Sequence, residues 1–195
     1  MTAEFDRAGS DRAESDRVQP LDAAGSALWS WGAVTRSAEA TRTLAETLAR
    51  RSRPGDLVLL VGGLGAGKTT FAQGFARGLG IEGPVTSPTF TLVRQYQSDG
   101  GIDGVRHLFH ADVYRLDSLA EVIDLGLPEQ LEDGGVALIE WGDVAEPVLG
   151  PSAMTVQLRL SGDDEEERTV TVSGRGPAWE GRGQPPTAEK GTEVS

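Results

Sequence analysis

Residues 62–69 read GGLGAGKT and satisfy G-x-x-x-x-G-K-[ST] at every fixed position. The unbroken apolar run of residues 57–61 precedes them, and Phe71, Ala72, Phe75, Ala76 and Leu79 follow at helical period. No other feature narrows the fold as far. A run too continuous for a half-exposed strand belongs to a parallel sheet covered on both faces. A glycine-rich turn from such a strand into a helix lets several backbone N–H groups point inward at phosphate oxygens, where the helix adds the positive end of its dipole.

The rest of the chain is consistent with that unit. Its 195 residues suit one domain. Residues 1–27 and 174–195 lack apolar periodicity and are expected as disordered tails, leaving 28–173 as the folded domain. Before the loop, Thr41, Leu44, Ala45 and Leu48 lie at helical spacing behind a candidate N-cap, Ser37, and Pro54-Gly55 ends the helix. After it, strands are expected over 91–96 and 105–114. A short helix opened by the capping-box pattern at 118–121 should be closed by Gly126. A buried strand follows over 136–139. Residues 154–160 and 168–172 form a terminal hairpin around the acidic stretch 163–167, which reads as a solvated loop. Buried strands interleaved with helices predict an α/β, three-layer P-loop NTPase fold with a mixed, mostly parallel central sheet and a C-terminal β-hairpin.

Composition removes several alternatives. Cysteine is absent, which excludes disulfides, Cys-based metal sites and thiol catalysis. Acids outnumber bases 30 to 18, for a net charge of −12, so a broad basic surface for nucleic acid is not expected. The two terminal stretches together account for only three of those twelve charges. No signal-peptide stretch and no run of membrane-spanning length is present, and a cytoplasmic location without membrane contact is expected. Of the basic residues 16 are Arg, and the two lysines are Lys68 and Lys190. The ordered part of the chain therefore places its one lysine in the glycine loop.

The chemistry expected there follows from residue type. Lys68 reaches the β and γ phosphates, and the Thr69 hydroxyl ligates Mg²⁺. The chain has no Asn, and Lys190 is followed by Gly-Thr-Glu. The N-K-x-D element that selects guanine therefore cannot exist, and ATP is the expected nucleotide. Hydrolysis needs a further acid at the ion and a group that places water. Glu140, at the end of the strand over 136–139, is assigned to Mg²⁺, directly or through water. Asp112 is its rival, and also the candidate general base or water-orienting carboxylate. His110 is read as a histidine oriented by Asp112 or by backbone in preference to a metal ligand. Two readings of residues 85–93 stand side by side: Thr86, Ser87 and Thr89 around Pro88 as a phosphate-sensing loop, or a plain turn into an edge strand. Arg168 by itself balances the neighbouring acids.

Four blocks, LGAGKTTF at 64–71, TSPTFTLV at 86–93, HADVYRL at 110–116 and IEW at 139–141, together resemble the bacterial tRNA threonylcarbamoyladenosine biosynthesis ATPases of the TsaE (YjeE) family, over residues 36–172. The resemblance implies an ATPase that uses ATP and Mg²⁺ and supports attachment of threonylcarbamoyl to adenosine 37 in tRNAs reading ANN codons. It also implies two partner proteins, TsaB-like and TsaD-like, with tRNA met indirectly through the complex. Position by position it puts Lys68 on phosphate, Thr69 and Glu140 on Mg²⁺ and Asp112 in the catalytic carboxylate role. Thr41 is placed near adenine and Arg168 at the nucleotide. The nucleotide-contacting set is then Thr41, Leu64, Gly65, Ala66, Gly67, Lys68, Thr69, Thr70 and Arg168. Gly63 departs from the aspartate many relatives carry there. A small-molecule kinase and a non-catalytic, nucleotide-gated module are the competing readings; no long insert supplies the substrate lobe and lid a kinase needs.

Overall fold

The computed structural model describes residues 27–99, 104–114, 116, 119–142, 150–161 and 164–183. Seven strands form one sheet: β1 (Trp29–Thr35), β2 (Leu57–Val61), β3 (Val93–Gln97), β4 (His107–Asp112), β5 (Gly135–Glu140), β6 (Ala153–Ser161) and β7 (Asp164–Arg175). Their order is β1-β7-β6-β2-β5-β4-β3. The four central strands, β6, β2, β5 and β4, are mutually parallel. Antiparallel strands close both sides, with β3 on β4 and the β6–β7 hairpin followed by β1. This is the expected mixed sheet with a parallel centre.

Alternation along the central strands sorts the core into two layers. Val58, Leu60, Leu108, Val136, Leu138, Val156 and Leu158 face one side. There they meet α1 (Ala38–Ala49) and α2 (Lys68–Gly78) through Ala45, Leu48, Phe71 and Phe75. Leu57, Leu59, Phe109, Ala137 and Ile139 face the other side, under Val122 of α3 (Leu119–Asp124) and Leu127 of α4 (Leu127–Glu132). Burying each Val, Leu, Ile or Phe among them stabilises the fold by about 1.5–3 kcal/mol. Ser37 caps α1, its Oγ accepting from Ala40 N at 3.0 Å. Arg77 on α2 reaches Glu39 and Glu46 on α1, and that guanidinium holds the Glu39 carboxyl below the usual carboxylate range.

Several boundaries differ from expectation. The disordered tail predicted from residue 174 is corrected: β7 runs to Arg175, and a 3₁₀ turn at Pro177–Trp179 folds back to bury Trp179 completely. The Trp29 indole donates to Trp179 O at 2.8 Å, and Arg182 pairs with buried Asp56 while lying over the Trp179 ring. Low complexity in composition concealed one aromatic and one arginine that find partners far back in the chain. β1 was likewise not foreseen; its pairing with β7 supplies the order that its own sequence does not. The acidic stretch predicted as a solvated loop is also corrected, because Asp164 onward is already strand β7. Gly126 (φ 64°) ends α3 as predicted and also begins α4, a helix not foreseen. Residues 1–26 of the predicted N-terminal tail, and Ser118 of the capping box, lie outside the described residues. Among those described, no helix is long and apolar enough to cross a membrane.

Candidate nucleotide site

The C-terminal ends of β2, β4 and β5 share one edge of the sheet, the edge at which parallel α/β sheets present ligands. The glycine loop leaves β2 there and enters α2 at Lys68. Gly67, the N-cap of α2, has φ 101°, a conformation L side chains rarely adopt, and makes no side-chain cap. The first turn of α2 also carries no acid. Its first amides are thus left open toward the loop, which is the arrangement that accepts an anion.

Lys68 is nearly buried, and its Nζ donates to Gly62 O at 2.7 Å and Gly63 O at 2.9 Å. The loop's own carbonyls hold the ammonium over the loop. Trp141 caps it from the other side, with Nζ 3.9 Å from the ring centroid. Trp141 takes φ 61°, a strained value for a bulky residue, and its ring packs on Tyr114 at 4.7 Å. This aromatic lid on the lysine was missed; the sequence offered only its place in the IEW block.

The Thr69 hydroxyl lies 3.2 Å from Glu140 Oε1 and 3.5 Å from Oε2. Glu140 Oε1 also meets His110 Nε2 at 2.9 Å, and both residues are buried. The expected orientation of His110 by Asp112 or by backbone is therefore corrected: its partner is Glu140. Strand geometry explains it: His110 is in register with Leu138, two residues before Glu140 on the adjacent strand. Asp112, in register with Glu140 itself, turns to other donors. Thr89 Oγ1 donates to its Oδ2 at 2.6 Å, Ser87 Oγ reaches the same oxygen at 3.4 Å, and Tyr114 N donates to Oδ1 at 3.1 Å. Of the three hydroxyls read around Pro88, those of Ser87 and Thr89 are tied to Asp112, whereas Thr86 is exposed.

Arg168 on β7 grips the loop from outside. Its Nε donates to Ala66 O at 3.1 Å and its Nη2 to Gly65 O at 3.4 Å. It thus joins the site, where charge alone had favoured a role in balancing acids. Leu64 at the loop tip is almost fully exposed, and Thr70 is half-buried in the first turn of α2. Thr41 is buried one layer back. Its hydroxyl pairs with Thr35 at 2.8 Å, and Thr35 is the register partner of Arg168.

Two hard oxygen donors from different elements, the Thr69 hydroxyl and the Glu140 carboxylate, converge beside open helix amides. That donor set fits a magnesium ion shared with phosphate oxygens, because Mg²⁺ prefers few protein ligands, mostly carboxylate, and keeps phosphates and water.

Comparison with known proteins identifies the family. The family model described as "Threonylcarbamoyl adenosine biosynthesis protein TsaE" matches residues 35–170. Relatives called tRNA threonylcarbamoyladenosine biosynthesis protein TsaE include that of Bacillus subtilis, 44% identical over 140 residues, or 72% of this chain and 84% of the relative. That of Streptomyces coelicolor is 45% identical over 141 residues, 71% of this chain and 93% of the relative. That of Treponema pallidum is 42% identical over 137 residues, 70% and 97%. The crystal structure of Bacillus subtilis YdiB superposes with a TM-score of 0.64 at 38% identity, covering 78% of this chain and 90% of that one. The α/β P-loop fold, the residues matched and the level of identity together make this chain a member of the TsaE family of threonylcarbamoyl adenosine biosynthesis proteins.

Proposed function

We propose that this chain is the Mg²⁺-dependent ATPase subunit of a tRNA-modifying complex. It hydrolyses ATP to ADP and phosphate, and so cycles TsaB-like and TsaD-like partners that install threonylcarbamoyladenosine at position 37 of tRNAs reading ANN codons. The observation that carries the reading is the convergence of Thr69 and Glu140, 3.2 Å apart, beside the glycine loop and Lys68. Thr69 and Glu140 would hold Mg²⁺, which would supply charge neutralisation at the phosphates.

The protein's own groups have distinct tasks. Lys68 leaves the Gly62 and Gly63 carbonyls for phosphate oxygens, with Trp141 limiting where the ammonium can swing. The open amides of α2 and the loop take the remaining negative charge. Arg168 holds the Gly65 and Ala66 carbonyls and so fixes the shape of the loop that would receive the phosphates. Asp112 orients the attacking water and receives its proton once Thr89 and Ser87 yield Oδ2. A net charge of −12 supports leaving tRNA mainly to the partners. The location consistent with this task is the cytoplasm.

Two measurements test it. Purified protein with its two partners should release free phosphate from ATP, and chelation of Mg²⁺ should stop it; transfer of label to a metabolite would favour a kinase. Depleting the protein in cells and analysing tRNA nucleosides by mass spectrometry should show loss of threonylcarbamoyladenosine. Normal levels would sink the tRNA reading.

A further inference from the structure

We infer that His110 is a positioning residue, which fixes the Glu140 carboxylate so that it faces Thr69. The inference rests on the reading of Thr69 and Glu140 as the magnesium pair, and assigns a task to a residue that reading leaves idle.

His110 is fully buried, between Leu108 and Ala111 on β4 and in register with Leu138 on β5, all three fully buried as well. A histidine in such surroundings loses its water and needs a partner, and the one it has is Glu140 Oε1 at 2.9 Å. Nδ1 is shut off from solvent with no hydrogen-bond partner among the described residues. A proton on Nδ1 would be a buried donor with nothing to donate to, so the ring stands as the Nε2–H tautomer and donates to Oε1. The same oxygen accepts from Thr69. Glu140 ends its strand on a side chain with three rotatable bonds, and Trp141 turns the chain sharply just after it. Without the imidazole, nothing else in β4 fixes the direction of that carboxylate: Asp112, its register partner, is an acid committed to Thr89, Ser87 and Tyr114. A group that hydrogen-bonds a metal-ligating carboxylate from behind typically contributes about 10- to 100-fold in metal affinity or activity.

The experiment has a metal-free arm and a magnesium arm, both on the full chain. In the metal-free protein, nitrogen-15 NMR of the imidazoles reads the tautomer directly. The sequence holds two histidines, so a His107→Gln variant assigns the signals. His110 should show a protonated, slowly exchanging Nε2 that shifts in Glu140→Ala. In the magnesium arm, ADP binding is followed by calorimetry as Mg²⁺ is raised, for wild type, His110→Leu and His110→Gln, with each variant's melting temperature. His110→Leu should need at least tenfold more Mg²⁺ for half its effect and should lower kcat with partners more than it changes KM for ATP. His110→Gln, whose amide can donate to Oε1, should recover most of both. The inference is overturned by a ring protonated on Nδ1. It is equally overturned by a folded Leu variant with unchanged Mg²⁺ response, or by a folded Gln variant as impaired as Leu. Wild type whose ADP affinity ignores Mg²⁺ would overturn the magnesium reading and this inference with it, a failure told apart because the ring would still report its bond to Glu140.

Discussion

Asp112 and Glu140 stand opposite each other in register across β4 and β5, yet their carboxylates are held by different donors. Glu140 is tied to Thr69 and His110, and Asp112 to Thr89, Ser87 and the Tyr114 amide. Two acids one strand apart are thereby separated in their partners by the loops and helix that reach them.

That separation should be visible in kinetics. Asp112→Asn is expected to lower kcat by roughly 10²–10⁴, the usual contribution of a group that moves a proton, with KM for ATP almost unchanged. Glu140→Gln should instead raise the Mg²⁺ concentration for half-maximal turnover by about tenfold or more. Steady-state rates across a matrix of ATP and Mg²⁺ concentrations, with partners present, distinguish them. Identical profiles for the two variants would contradict the division of labour.

Arg168 should matter through its fork shape. Nε and Nη2 engage adjacent loop carbonyls, Ala66 and Gly65, from one planar fork whose preset geometry a flexible ammonium does not reproduce. Arg168→Lys should weaken ATP binding by about fivefold, equivalent to a net hydrogen bond of about 1 kcal/mol. Calorimetric titration with ATP checks this, and wild-type affinity in the Lys variant would show that charge alone suffices.

Helices α1 and α2 touch backbone to backbone at Gly74. A Cβ there would lie 2.2 Å from Arg42 O, and a backbone oxygen inside a packed helix pair cannot move aside cheaply. Gly74→Ala is expected to cost about 1–3 kcal/mol in stability, as overpacking does, read from the urea midpoint at constant slope.

The C-terminal clasp should contribute stability without touching chemistry. Trp179 is buried against Trp29 and Arg182, so Trp179→Ala should cost about 3–5 kcal/mol. Arg182→Ala should cost a similar about 3–5 kcal/mol by leaving buried Asp56 without its cation. The clasp grips Asp56 at the start of β2, and the glycine loop leaves the opposite end of that strand. Turnover per folded molecule, at a temperature below both melting points, is expected to stay within about twofold of wild type, since surface-distant changes act independently.

Much of this architecture is legible in short stretches of chain. The loop at 62–69, the buried runs of β2 and β5, the 3.6-residue repeat of α1 and α2 and the two-residue alternation of β6 are local patterns. Their physical cause, which face is buried and where the backbone must bend, lies within a few residues. The pairing of His110 with Glu140, of Thr69 with Glu140 and of Trp29 with Trp179 spans 30, 71 and 150 residues. No spacing rule encodes such contacts. They exist because the sheet order places β4 beside β5 and closes β1 onto β7, and burial then makes each isolated polar group seek the nearest donor or acceptor. Residue chemistry alone thus marked Lys68, Thr69, Glu140 and Asp112 as the candidate set. Packing chose which acid holds the threonine, put Trp141 over the lysine, and drew a stretch of plain composition back into the core.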